Sequence, residues 1–98
     1  MPWSRTRKAN LADDLDLLIG DLCMRWGFCN ALRADDLLRD HEILDATTFA
    51  EAVLQAEGMN AETEVTWKRR TRNKFTERYG ASVSASNYAA NALRHPRA

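Results

Sequence analysis

The sequence predicts an all-α protein, a small bundle of three to four helices with flexible N- and C-terminal tails. Two observations carry this prediction: apolar residues recur at helical spacing, and three of the four glycines come directly after such a segment. In addition, no stretch alternates with a period of two, and β-branched residues are few, so no strand is predicted. We expect a flexible basic segment at 1–9, a helical domain at 10–80 and a mostly flexible tail, rich in Ala, Ser and Asn, at 81–98.

The first helix is predicted over residues 11–26. Asn10 is a good N-cap, and aspartates follow in the first turns, where they complement the helix dipole. Gly27 then ends the helix. The apolar residues of this segment form a single stripe: Leu11, Leu15, Leu18, Leu22 and Trp26.

The segment 33–45 is expected to be a short helix followed by apolar anchors. Asp35 and Asp36 mark the beginning of the helix, and Ile43 and Leu44 supply the anchors.

Two further helices meet at Gly58. Thr48 and Glu51 have the spacing of a capping box, which predicts the start of the third helix, and Gly58 predicts its end. Asn60 is the expected N-cap of the last helix, which runs to Gly80. Across the helices the residues predicted to be core are Leu18, Leu22, Trp26, Phe49, Val53 and Phe75.

The formal net charge of zero conceals three charged blocks. Residues 1–10 carry three bases and no acid, residues 11–64 carry thirteen acids against three arginines, and residues 65–98 carry eight bases against one acid. The two large blocks therefore have net charges of −10 and +7. They must either neutralise each other within the fold or each face a partner.

The two cysteines and the apolar runs point to a cytoplasmic protein without a metal. Cys23 and Cys29 are interpreted as two small apolar side chains near a helix end, with no disulfide, because cytosolic disulfides are rare. A zinc site needs about four ligands, and His41 and His95 do not sit at a familiar offset from the cysteines. No apolar run is long enough for a membrane span or a signal peptide.

No arrangement of residues predicts catalysis. The glycines are single, so there is no phosphate-binding loop, and no serine lies in a nucleophile elbow. Asp13, Asp16 and the Asp35–Asp36 pair fit helix caps and first-turn dipole partners, and His41 fits a solvated side chain. We therefore expect no catalytic residues, no metal and no cofactor.

Leu17, Gly20 and Met24 form a second line on the first helix, opposite the main stripe. If this helix is central, both sides are covered and the line belongs to the core. If the line is bare, it marks a partner or dimer surface, where Gly20 permits close approach.

Arg69, Arg70 and Lys74 are the candidate contacts for nucleic acid or an acidic partner. The turn around Gly58 has the length of a helix-turn-helix connection, but Glu62 and Glu64 would meet phosphate first and repel it.

We expect acids of the first helix to neutralise the basic block. The sequence thus favours a non-enzymatic interaction or regulatory module, an adaptor or a homodimer. Self-association or a protein partner is expected, without a membrane. Nucleic-acid backbone binding is the alternative.

Overall fold

A computed structural model of the chain describes residues 3–29 and 32–88 and confirms a mostly helical domain. Two three-residue strands accompany the helices, and a helical turn at 85–88 follows the second strand. The elements in chain order are α1 (Trp3–Trp26), α2 (Ala34–Asp40), β1 (Ile43–Asp45), α3 (Ala46–Ala56), α4 (Val65–Tyr79) and β2 (Ser82–Ser84).

The small β-sheet corrects the prediction that the chain has no strand. β1 and β2 pair in antiparallel register with Leu44 opposite Val83, and both side chains are buried. Three residues are too few for a period of two to be visible in the sequence. Because Val83 is only 2% exposed, the predicted domain boundary at residue 80 is wrong for residues 81–88. The rest of the predicted tail, 89–98, lies outside the described residues.

The first helix begins earlier than expected. It starts at Trp3 instead of residue 11 and so includes most of the segment predicted to be flexible. The sequence from residue 3 to 9 contains no glycine or proline and includes Arg, Lys and Ala, which are good helix formers. Asn10 therefore lies inside α1 and is not its N-cap. Residues 1 and 2 lie outside the described residues.

The last two helices also begin differently from the prediction. Asp45, not Thr48, caps α3, because its carboxylate accepts a hydrogen bond from the Thr48 backbone N–H at 2.6 Å. The Asn60 side chain accepts from the Glu62 N–H at 2.9 Å, but this bond stabilises a turn, and α4 begins only at Val65.

The predicted helix ends are confirmed. Gly27, Gly58 and Gly80 each have φ between 73° and 82°, the left-handed conformation that glycine adopts without strain. After α3, the Met59 N–H donates to the Leu54 carbonyl at 2.8 Å, and the Gly58 N–H donates to the Gln55 carbonyl at 3.0 Å. These two bonds are those of a Schellman motif.

The core lies between the inner sides of the four helices, and Leu44 of β1 and Val83 of β2 belong to it. Five of the six predicted core residues are buried, and Trp26 is half-buried and packs against them. Thr71 is also fully buried, and its hydroxyl donates to the Trp67 carbonyl at 2.8 Å. Tilted ring contacts join Phe49, Phe75 and Tyr79, with centroids 5.1 and 5.0 Å apart.

Within the described residues, no helix is both long enough and apolar enough to cross a membrane.

Candidate interaction surfaces

The second apolar line of α1 is bare. Leu17 is 66% exposed and Met24 is 88% exposed, so the alternative in which α1 is covered on both sides is wrong for the described chain. An added Cβ at Gly20 would meet nothing within 4 Å. We call Leu17, Gly20 and Met24 the α1 outer face.

Acidic side chains border the α1 outer face. Asp13 and Asp16 are exposed. Asp21 is partly exposed, and both of its carboxylate oxygens accept from Arg25 Nε, at 2.8 and 2.9 Å. Asp21 and Arg25 neutralise each other. Asp13 and Asp16 therefore leave the border with an excess of negative charge.

At the end of α4, the basic block is neutralised by α1. Both oxygens of Asp14 accept from the Arg78 guanidinium, each at 2.8 Å, and the Tyr79 hydroxyl donates to Asp14 at 2.5 Å. The hydrogen bond to Asp14 raises the pKa of Arg78. Burial, followed by the hydrogen bond to Asp14, raises the pKa of Tyr79. This cluster fixes the end of α4 against α1.

Two lysines of α4 are paired as well. Lys68 Nζ lies 3.3 Å from a Glu51 oxygen and so joins α4 to α3. Lys74 Nζ lies 3.9 Å from a Glu77 oxygen of the same helix. Both lysine side chains are less than one third exposed.

Three arginines of α4 have no such partner. Arg69, Arg70 and Arg72 are exposed, and no carboxylate of the described residues lies within 4 Å of them. We call them the outer arginines. Of the three predicted contact residues, Arg69 and Arg70 belong to the outer arginines, whereas Lys74 faces Glu77. The expected neutralisation of the whole block is wrong for the outer arginines.

The outer arginine Arg70 is positioned by an aromatic cluster. Its guanidinium carbon lies 5.1 Å from the ring centroid of Trp67. Trp67 in turn contacts Trp26 and Phe28, with ring centroids 5.2 Å away in each case. The C-terminal end of α1 and the beginning of α4 therefore meet in this cluster.

A disulfide joins Cys23 to Cys29, so the interpretation of two unpaired thiols is wrong. Gly27 reverses the chain after α1 and brings the two Cα atoms to 4.5 Å, a normal separation for a disulfide. A spacing of six residues alone does not show that reversal. Phe28 belongs to the loop that the disulfide closes. Its ring contacts Trp26, with ring centroids 5.6 Å apart.

Among the described side chains, no group of three or more His, Cys, Asp or Glu is placed to hold a metal ion. Comparison with protein-family models, with curated proteins and with solved structures found no match to the chain.

Proposed function

We propose that the protein is a non-enzymatic interaction module that binds a protein partner on the α1 outer face. The observation that supports this most is the exposure of Leu17 and Met24 on one line of a helix whose opposite side is buried. They flank Gly20, where a partner backbone can approach closely. Contiguous apolar surface that is exposed on one face of a helix marks interaction sites.

The charge around this face favours a basic amphipathic helix as the partner. Asp13 and Asp16 would lie beside the lysines or arginines of such a helix, while its apolar residues cover Leu17 and Met24. A homodimer through the same face would bring two acidic borders together. We therefore favour the adaptor over the homodimer.

Several carboxylates that could otherwise serve as catalytic acids or bases have structural roles. Asp45 caps α3, Asp14 binds Arg78 and Tyr79, and the Asp16 carboxylate accepts from the Ala34 N–H at 3.4 Å. These roles support the non-enzymatic part of the proposal. The cytoplasmic location stays a prediction. The Cys23–Cys29 disulfide argues for an oxidising compartment, since such bonds are rare in the cytosol.

The test is a titration with two synthetic helical peptides, one of Leu and Lys and one of Leu and Glu, with the same apolar pattern. We expect the basic peptide to shift the backbone NMR signals of Leu17, Gly20 and Met24, and the effect to weaken as salt rises. Leu17→Ser with Met24→Ser should abolish the shifts. Ile43→Thr is the matched control, because Ile43 is 63% exposed on β1.

Equal shifts with both peptides, or none, would contradict the proposal. Sedimentation of the protein alone tests the homodimer. Self-association that the Leu17 and Met24 changes abolish, and that strengthens with salt, would replace the adaptor by a dimer.

A further inference from the structure

The unit from β1 to β2 holds α4 against α3, but the eight-residue connection between the two helices is too long for the predicted helix-turn-helix, whose turn has three to four residues. α3 and α4 are joined by residues 57–64, and the strands that precede α3 and follow α4 pair with each other. Phe75 and Thr71 are fully buried on the inner side of α4. The opposite side of α4 is thereby fixed toward the outside.

The outer side of α4 carries arginine and asparagine side chains, the types that contact duplex DNA. At about 100° per residue, Arg69 and Asn73 lie near the middle of this side, with Arg70 and Arg72 on either flank. All four are exposed, and so is Glu77, an acid on the same side whose carboxylate lies 3.9 Å from Lys74 Nζ. Arginine and asparagine make the bidentate contacts that identify guanine and adenine in the major groove, and arginines also bind phosphates.

The positive charge of α4 that has no carboxylate partner is concentrated on this side. Lys68, Lys74 and Arg78 have carboxylate partners within 4 Å, whereas the outer arginines have none in the described part of the chain. Glu62 and Glu64 are exposed but precede α4 in the connecting turn instead of forming its first turn. Their repulsion disfavours contact through the helix end and moves the DNA toward the middle of the helix.

We propose that the outer side of α4 binds the major groove of duplex DNA. In this arrangement, Arg69 and Asn73 face the base edges, and Arg70 and Arg72 bind phosphates of the two flanking strands. An α-helix about 10–12 Å across fits the major groove of B-DNA, which is about 12 Å wide, but not the narrow major groove of duplex RNA. This surface is separate from the α1 outer face, so the two proposals fail independently.

The first experiment measures fluorescence anisotropy of a labelled 20-base-pair DNA duplex of mixed sequence with the full chain. Two phosphate contacts predict an affinity that falls about tenfold between 50 and 200 mM salt. Arg70→Ala and Arg72→Ala should each reduce the slope of log affinity against log salt by about one. Arg33→Ala removes one charge from an exposed side chain before α2, and it should leave the slope unchanged.

Selection from a randomised duplex library then tests the base contacts. The wild type should enrich a preferred sequence, and Arg69→Ala and Asn73→Ala should each lose roughly tenfold in preference at one position. Circular dichroism checks that each variant is folded.

No duplex binding at 50 mM salt, an equal effect of Arg33→Ala and Arg70→Ala, or equal binding to duplex RNA would overturn the proposal. A wild type that enriches no sequence would overturn the assignment of Arg69 and Asn73 to the bases.

Discussion

The inner and outer sides of α4 carry similar basic residues in different environments. On the inner margin, Lys68 is bound to Glu51, and Arg78 is bound to Asp14. On the outside, Arg69 and Arg72 are exposed without a carboxylate partner among the described residues. The position of a basic side chain around the helix, rather than the charge of the segment, therefore decides whether it joins two elements or remains available to a partner.

The largest difference between the two sides is expected for apolar truncation. Phe75→Ala should lower the free energy of unfolding by about 3–5 kcal/mol, because it removes a fully buried ring from between α3 and α4. Arg69→Ala on the outer side should change it by no more than about 0.5 kcal/mol. Urea denaturation of both variants measures the difference. Similar losses would mean that the sides of α4 are assigned wrongly.

The disulfide is expected to contribute less than the core ring. Replacing Cys23 and Cys29 together by serine should lower the free energy of unfolding by about 2 kcal/mol, since the bond closes a short loop. Thermal melts with and without a dithiol reductant measure this effect. The double variant should melt at the same temperature in both conditions, and a wild type that is equally insensitive would argue against the bond.

Asp45 shows that an exposed charge stabilises the fold when the backbone provides its partner. Asp45→Ala should cost about 1 kcal/mol at neutral pH, because the cap of α3 is lost. The hydrogen bond from the Thr48 N–H lowers the pKa of Asp45. Its contribution is therefore complete above about pH 4, the ordinary range of the carboxyl, and is lost as the pH falls through the lower, folded pKa. Denaturation at pH 7 and pH 2 should show a smaller wild-type advantage at pH 2 than at pH 7.

The smallest expected effect has the opposite sign and lies on α1. Gly20→Ala should raise the free energy of unfolding by about 0.5–1 kcal/mol, because the position is helical and the added methyl meets no atom within 4 Å. The same change should weaken binding of the basic peptide, since it keeps the two helices apart. Gly58→Ala is the contrasting variant and should be destabilising, because φ there is +76°. A Gly20→Ala protein that is stabilised and binds the peptide as well as the wild type would remove Gly20 from the contact surface.

The sequence was sufficient for the interiors and ends of the helices. The stripe from Leu11 to Leu22 is buried as predicted, and Gly27, Gly58 and Gly80 follow helix ends because only they adopt positive φ freely.

Helix beginnings were harder to predict, since Asn10, Thr48 and Asn60 have side chains that can cap a helix or serve elsewhere equally well. Short strands such as β2 depend on a partner distant in the chain, and the packing of Val83 against Leu44 has no local signal.

The candidate surfaces were predictable as residues but not as exposed or paired groups. Leu17 and Met24 were identified from helical spacing, whereas their exposure depends on which side of α1 the other elements cover. The separation of Lys74 from Arg69 likewise requires knowledge of where Glu51, Glu77 and Asp14 lie. The disulfide depends on the reversal at Gly27, which the spacing of the cysteines does not reveal.

The division of the basic block is tested by two double variants that remove the same charge from α4. Lys68→Ala with Arg78→Ala takes away bases that bind Glu51 and Asp14, and urea denaturation should show a loss of about 2 kcal/mol in the free energy of unfolding. Arg69→Ala with Arg72→Ala should change it by no more than about 0.5 kcal/mol. Equal losses in the two variants would contradict the account, because they would mean that the outer arginines are also neutralised within the fold.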